Sequence, residues 1–229
     1  MINRTLIRIK VVQMVYSYVL TKDETTLKDA LKQLAKSFDK SYELYNYLLL
    51  LIVELTDLQD RRLDDAKNKY LPTEEDLNPN TRFVDNRLVA MLREDKMLND
   101  YVSENKITWK NDDVFMKLLL DKILHSEVYE KYMSDNEDSL AHDCELWKQL
   151  FKQVILTDDD FAQLLENKSV YWNDDLEIMG TFAIKTIRRF EEGEEEPILP
   201  MYKDSDDEEF GKQLFMKSVA MKDENDALI

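Results

Sequence analysis

A chain of 229 residues with only 3 Gly and 4 Pro has few ways to turn sharply. Sheet proteins of this length need many tight turns, and those turns consume Gly and Pro. Long helices need neither residue. The scarcity therefore predicts an all-α fold. The length is enough to bury roughly 70% of the unfolded surface, in one large domain or two small ones.

One cysteine, Cys144, excludes a disulfide within the chain and points to a reducing, cytoplasmic compartment. Its plain reading is a packed thiol. Met1 to Lys22 is basic and partly apolar, but it is amphipathic and lacks a small-residue cleavage site, so no signal peptide is expected there. The longest apolar run, Tyr47 to Val53, stops at Glu54, well short of the ~20 residues that cross a bilayer. No membrane partner is expected. The net charge of −17 opposes indiscriminate nucleic-acid binding, so local charge decides what the chain can bind.

Helical periodicity runs almost throughout. Over residues 4–21, Leu6, Ile9, Val12, Tyr16 and Val19 recur at spacings of three and four, with Val15 and Leu20 beside them. This makes Val12, Tyr16 and Leu20 expected core residues. After a turn at Lys22-Asp23-Glu24, Thr25 or Thr26 caps a second helix with an apolar stripe (Leu27, Leu31, Leu34, Phe38). Lys28, Lys32, Lys36 and Lys40 form a row beside it that could follow a phosphate backbone, though its plain reading is a wet face. A further helix is predicted from about Ser41 to Tyr70, apolar all round in its first half and charged from Asp57 to Lys69. The first half belongs at the centre of a bundle, and the second runs into solvent. A loop covers 71–80. Helical patterns resume at 81–104, 112–133, 138–156, 158–167 and 174–190, and a last amphipathic stretch runs from about Ser205 to Lys222.

Chemistry-bearing motifs are sparse. His142-Asp143 looks like the pair of HD-type phosphohydrolases, but a hydrolytic metal needs several more ligands, and His125 is the one other histidine. There is no Gly-rich phosphate loop, no nucleophile elbow and no metal-spaced Cys/His cluster. No catalytic residue, metal or cofactor is expected. Asp158 and Asp174 fall where helices should begin, where acids complement the helix dipole. The acidic runs 191–196 and 204–209 read as solvated linker.

The N-terminus is the informative exception. Residues 1–22 hold Arg4, Arg8, Lys10 and Lys22 and no acid, in a chain with 48 acidic residues. Cations in the first turns oppose the helix dipole, so their presence suggests an external anion such as phosphate.

These residues carry a resemblance. Arg4-x-x-x-Arg8-x-x-x-Val12-Gln13-x-x-Tyr16-Ser17-x-x-Leu20 is similar to the opening helix of the NusB family of bacterial transcription antitermination factors, with spaced arginines before a V-Q-x-L-Y-like segment. Tyr42 to Leu58 resembles the family's long apolar second element, and Lys69-Tyr70-Leu71 resembles its end. Met1-Ile2-Asn3-Arg4 through Gln13 looks most like a branch with an extended middle.

The resemblance covers about the first 71 residues. It implies a NusB-like helical bundle over 1–71, a helical extension over 81–190, and an acidic linker with a C-terminal helix over 191–229. It implies RNA binding to the boxA element of nascent ribosomal RNA, together with the ribosomal protein NusE and the RNA polymerase elongation complex. Arg4, Arg8 and Lys10 are the expected phosphate contacts, with Gln13 as a polar neighbour.

Two departures stand out. Ile9 follows Arg8 where the family often has an acid, and the family's closing F-x-N-G-x-L-D-like segment is missing, as in a member cut short. The apolar side of the last helix (Phe210, Leu214, Phe215, Val219) is then expected to pack back on the bundle or to drive homo-oligomerisation. The alternative from a different class is a non-enzymatic helical scaffold that binds proteins only.

Overall fold

The computed structural model describes residues 1–221, and among them the fold is all-α. Lys222, read above as the end of the last helix, and the remainder of the 191–229 segment beyond it lie outside the described residues. No helix of the described residues is long and apolar enough to cross a membrane.

Helix α1 spans Arg4–Thr21, and the Asn3 side chain caps it by accepting from the Thr5 and Leu6 amides, both at 3.0 Å. Helix α2 spans Leu27–Lys67, a single rod of 41 residues where two helices are predicted. Thr26 caps it, accepting from the Asp29 amide at 3.2 Å. No joint forms near Ser41. The Ser37 and Ser41 hydroxyls donate back to the Leu34 and Ser37 carbonyls at 2.7 and 2.9 Å, so Ser41 is spent inside the helix rather than starting one.

A single turn, α3 (Glu74–Leu77), lies in the predicted loop, held by reciprocal bonds between Thr73 and Asp76. The pattern at 81–104 divides into α4 (Arg87–Glu94) and α5 (Lys96–Asn105), because Asp95 is extended and caps the second by accepting from Leu98 N. Ser126 divides 112–133 into α6 (Asp113–Leu124) and α7 (Glu127–Ser134) in the same way. Helix α8 (Leu140–Leu150) widens into a π-turn over Phe151–Ile155. Then follow α9 (Asp159–Lys168), capped by Asp158 as predicted, α10 (Leu176–Glu191), which Asp175 rather than Asp174 precedes, and α11 (Asp207–Ala220).

The chain divides into two compact units, residues 1–43 with the segment from Leu199 onward, and residues 44–198. The sequence boundaries at 71 and 191 follow loop composition. Packing divides the chain instead within α2 and at Leu199.

In the larger unit, α8 lies against α4, α7 and α10. Its Cys144, Trp147 and Leu150 are fully buried. The first turns of α2 in this unit are buried almost all round (Leu44, Tyr45, Leu48, Leu49, Leu51, Ile52, Leu55), while Asp60, Arg61, Asp64 and Asp65 are exposed, as expected. Trp109 stacks on Tyr47 at 3.9 Å between ring centres and donates its indole N–H to the Tyr47 carbonyl at 3.1 Å. Gly180 on α10 meets the Leu156 side chain so closely that a Cβ would lie 2.5 Å from it.

The smaller unit contains α1, the start of α2 and α11. The chain entry is pinned to the stretch before α11. Ile2 donates to the Met201 carbonyl at 2.7 Å and accepts from the Lys203 amide at 2.9 Å, and the Met1 ammonium donates to the Pro200 carbonyl at 2.5 Å. Helix α11 packs on α1, with Phe215 buried and edge-on to Tyr18 at 6.1 Å. Gly211 admits Ile7 and Phe38 into the same seam, where a Cβ would lie 3.2 Å from each. Of the two routes expected for the last helix, folding back is the one observed.

Candidate functional site

Helix α1 carries apolar residues on two sides, and the periodicity selects the wrong one for the core. The buried side is Leu6, Ile7, Lys10, Val11 and Met14, against α11 and the start of α2. Of the residues read as core, Leu6 is buried and Val15 and Val19 are half-buried, but the rest face solvent: Ile9 is 41% exposed, Val12 68%, Tyr16 69% and Leu20 67%. Both sets obey a helical repeat, so spacing does not choose between them. The partner seam, Phe215 with Gly211 and Phe38, decides.

The predicted site residues separate accordingly. Arg4, Arg8 and Gln13 are exposed, whereas Lys10 is buried. Arg4 has an anion within the chain. Its Nη2 lies 2.8 Å from Asp206, and its Nε donates to Asp207 Oδ1 at 3.4 Å. Asp207 is fully buried and also accepts from the Asp204 amide. The run 204–209 is therefore no solvated linker. It opens α11, where acids suit the helix dipole, and turns toward the basic start of α1.

Arg8 holds no ion pair among the described residues. Its guanidinium lies over the Phe210 ring at 5.7 Å, and Arg4 covers the same ring at 4.8 Å. Such cation–π contacts hold both guanidinium groups near one ring; the Arg4 Nε–Nη2 edge is already taken by Asp207 and Asp206, while Arg8 keeps its N–H groups for another acceptor. Sequence reasoning missed Phe210 as their support. Its signal was an aromatic residue three positions past the Asp206-Asp207 pair, legible only once α11 is known to lie on α1.

Of the lysine row, Lys28, Lys32 and Lys36 are exposed, and Lys40 pairs with Glu43 at 2.5 Å. The other acidic run is also engaged. Glu191 meets Lys148 at 2.7 Å and Glu194 meets Arg189 at 2.6 Å, with Pro197 and Ile198 buried beyond them.

Asp143 is committed to structure. It accepts from the Tyr132 hydroxyl at 2.7 Å and from the Arg87 amide and Nη1, each at 3.1 Å. Burial and this carboxylate push the Tyr132 hydroxyl pKa well up. The His142 ring stacks on Tyr132 at 5.2 Å, and His125 Nδ1 meets the Asp121 carbonyl at 2.7 Å. No group of three or more His, Cys, Asp or Glu side chains gathers as a metal site among the described residues. Burial pushes the Cys144 thiol up to about 12, which makes it inert as a nucleophile at neutral pH.

Comparison with protein-family models, with curated proteins and with solved structures gives no match for this chain.

Proposed function

We propose that this chain is a non-enzymatic, RNA-binding transcription antitermination factor of the NusB kind. It would act in a bacterial cytoplasm with the ribosomal protein NusE on boxA-like RNA of nascent ribosomal transcripts. The reading rests on the resemblance of residues 1–71. The observation that carries it to a surface is Arg8, a cation without an ion pair among the described residues, set over Phe210 beside Arg4. Arg8 offers its N–H groups to phosphate, with Gln13 exposed on the same helix. Asp206 and Asp207 compete with RNA for Arg4, which tempers the affinity.

Fluorescence anisotropy with a labelled boxA-like RNA tests this. Arg8→Glu should abolish binding without changing helicity. Asp206→Asn should strengthen it by freeing the Arg4 Nη2, with Nε still on Asp207, and binding should fall steeply with salt as counterions are released. Equal affinity in wild type, Arg8→Glu and Asp206→Asn, with a flat salt response, would overturn the reading. A protein-only scaffold is the second reading, and the exposed apolar side of α1 favours it.

A further inference from the structure

The solvent side of α1 has the composition of a buried seam. Ile9, Val12, Tyr16 and Leu20 follow spacings of three, four and four. At about 100° per residue they fall within an arc of about 80°. This is the a/d-like spacing by which one helix receives another. Three of the four are more than two-thirds exposed, although the opposite side of the same helix is already packed on α11. A contiguous apolar strip of this kind marks an interaction surface.

Charge selects the occupant. Helix α1 carries no acid. The exposed cation beside the strip, Arg8, lies about 40° beyond Val12 on the helical wheel and holds no ion pair among the described residues, with Arg4 further round on the same flank. A second copy docking through the same strip would bring two acid-free helices together, and like charges oppose that. A helix with acids beside its own apolar stripe would satisfy both the strip and its cationic edge.

We propose that the outer face of α1 is a docking site for an acidic amphipathic helix of a protein partner, seated on Val12, Tyr16 and Leu20 and steered by Arg8. This goes beyond the RNA reading and stands or falls separately from it.

The probe is a fluorescein-labelled designed peptide of about three heptads, with Leu at the a and d positions and Glu flanking them. Its control replaces every Glu with Lys. Anisotropy should show saturable binding of the Glu peptide to the full chain and none of the Lys peptide. Val12→Asp with Tyr16→Asp should weaken binding at least tenfold. Both residues face solvent, so circular dichroism should be unchanged. Arg8→Glu should weaken it several-fold. Equal binding of both peptides, or no effect of the double substitution, would overturn the proposal. So would sedimentation showing a dimer that the double substitution dissolves, since a second copy would then occupy the strip.

Discussion

Replacing Phe215 with Ala removes the side chain that holds α11 on α1. The ring is fully buried and packs edge-on against Tyr18. Phe→Ala in a core costs about 3–5 kcal/mol, and the lost aromatic pair places this site near the middle of that range or above. Taking about 4 kcal/mol, opening of the α1–α11 seam becomes roughly a thousandfold more frequent. Tryptophan fluorescence is the wrong probe, because Trp109, Trp147 and Trp172 all belong to the unit spanning residues 44–198. Amide hydrogen exchange reads the event directly. Amides of α1 and α11 should exchange about a thousandfold faster, if the smaller unit opens locally. Met216→Ala is the control. Met216 is 49% exposed next to Phe215, and its loss should stay within about 0.5 kcal/mol. An exchange change below tenfold in Phe215→Ala would refute the packing account of α11.

Asp143→Ala should destabilise the larger unit by about 2–3 kcal/mol in urea unfolding, because the Tyr132 hydroxyl and the Arg87 amide lose their acceptor. Asp143→Asn, which keeps one acceptor oxygen, should lie between the two. The Cys144 thiol should resist Ellman's reagent at pH 8 in the native chain and react at once in urea. Because its folded pKa is raised to about 12, the stability tied to the neutral thiol is fully present below about 9 and is lost as pH rises toward 12. Rapid labelling of the native chain at pH 8 would contradict this. The Asp76 carboxyl is lowered to about 2 by the Thr73 amide, Lys69 and the Thr73 hydroxyl. Its contribution is therefore present above about 4 and is lost as pH falls toward 2. The Thr73 amide shift should titrate near 2 by NMR, and a midpoint near 4 would show that the capping box does not form in solution.

Much of the local structure is legible in the sequence. The scarcity of Gly and Pro and the helical repeat predict an all-α fold. Thr26 and Asp158 mark helix starts, and the apolar run from Leu44 to Leu55 marks a central helix. These are short-range matters. A cap bonds amides two or three residues away, and an all-round apolar helix has only the interior to go to.

Two kinds of choice failed: where a local cap interrupts a repeat, and which side of a helix meets a distant partner. Asp95 and Ser126 break helices that periodicity reads as continuous, because a capping side chain competes with a repeat that spacing alone does not rank. On α1 the sequence offers two apolar sides and a row of cations. Nothing within residues 4–21 says which side is buried or which cation is neutralised. That is decided some 200 residues away in sequence, where Phe215 and Gly211 take up the side of Ile7 and where Asp206 and Asp207 meet Arg4. The sequence by itself determined that α1 is a helix, amphipathic twice over and basic. The tertiary structure decided that Val12, Tyr16 and Leu20 face water and that Lys10 is buried, because burial is a property of the surface a helix meets and not of the helix alone.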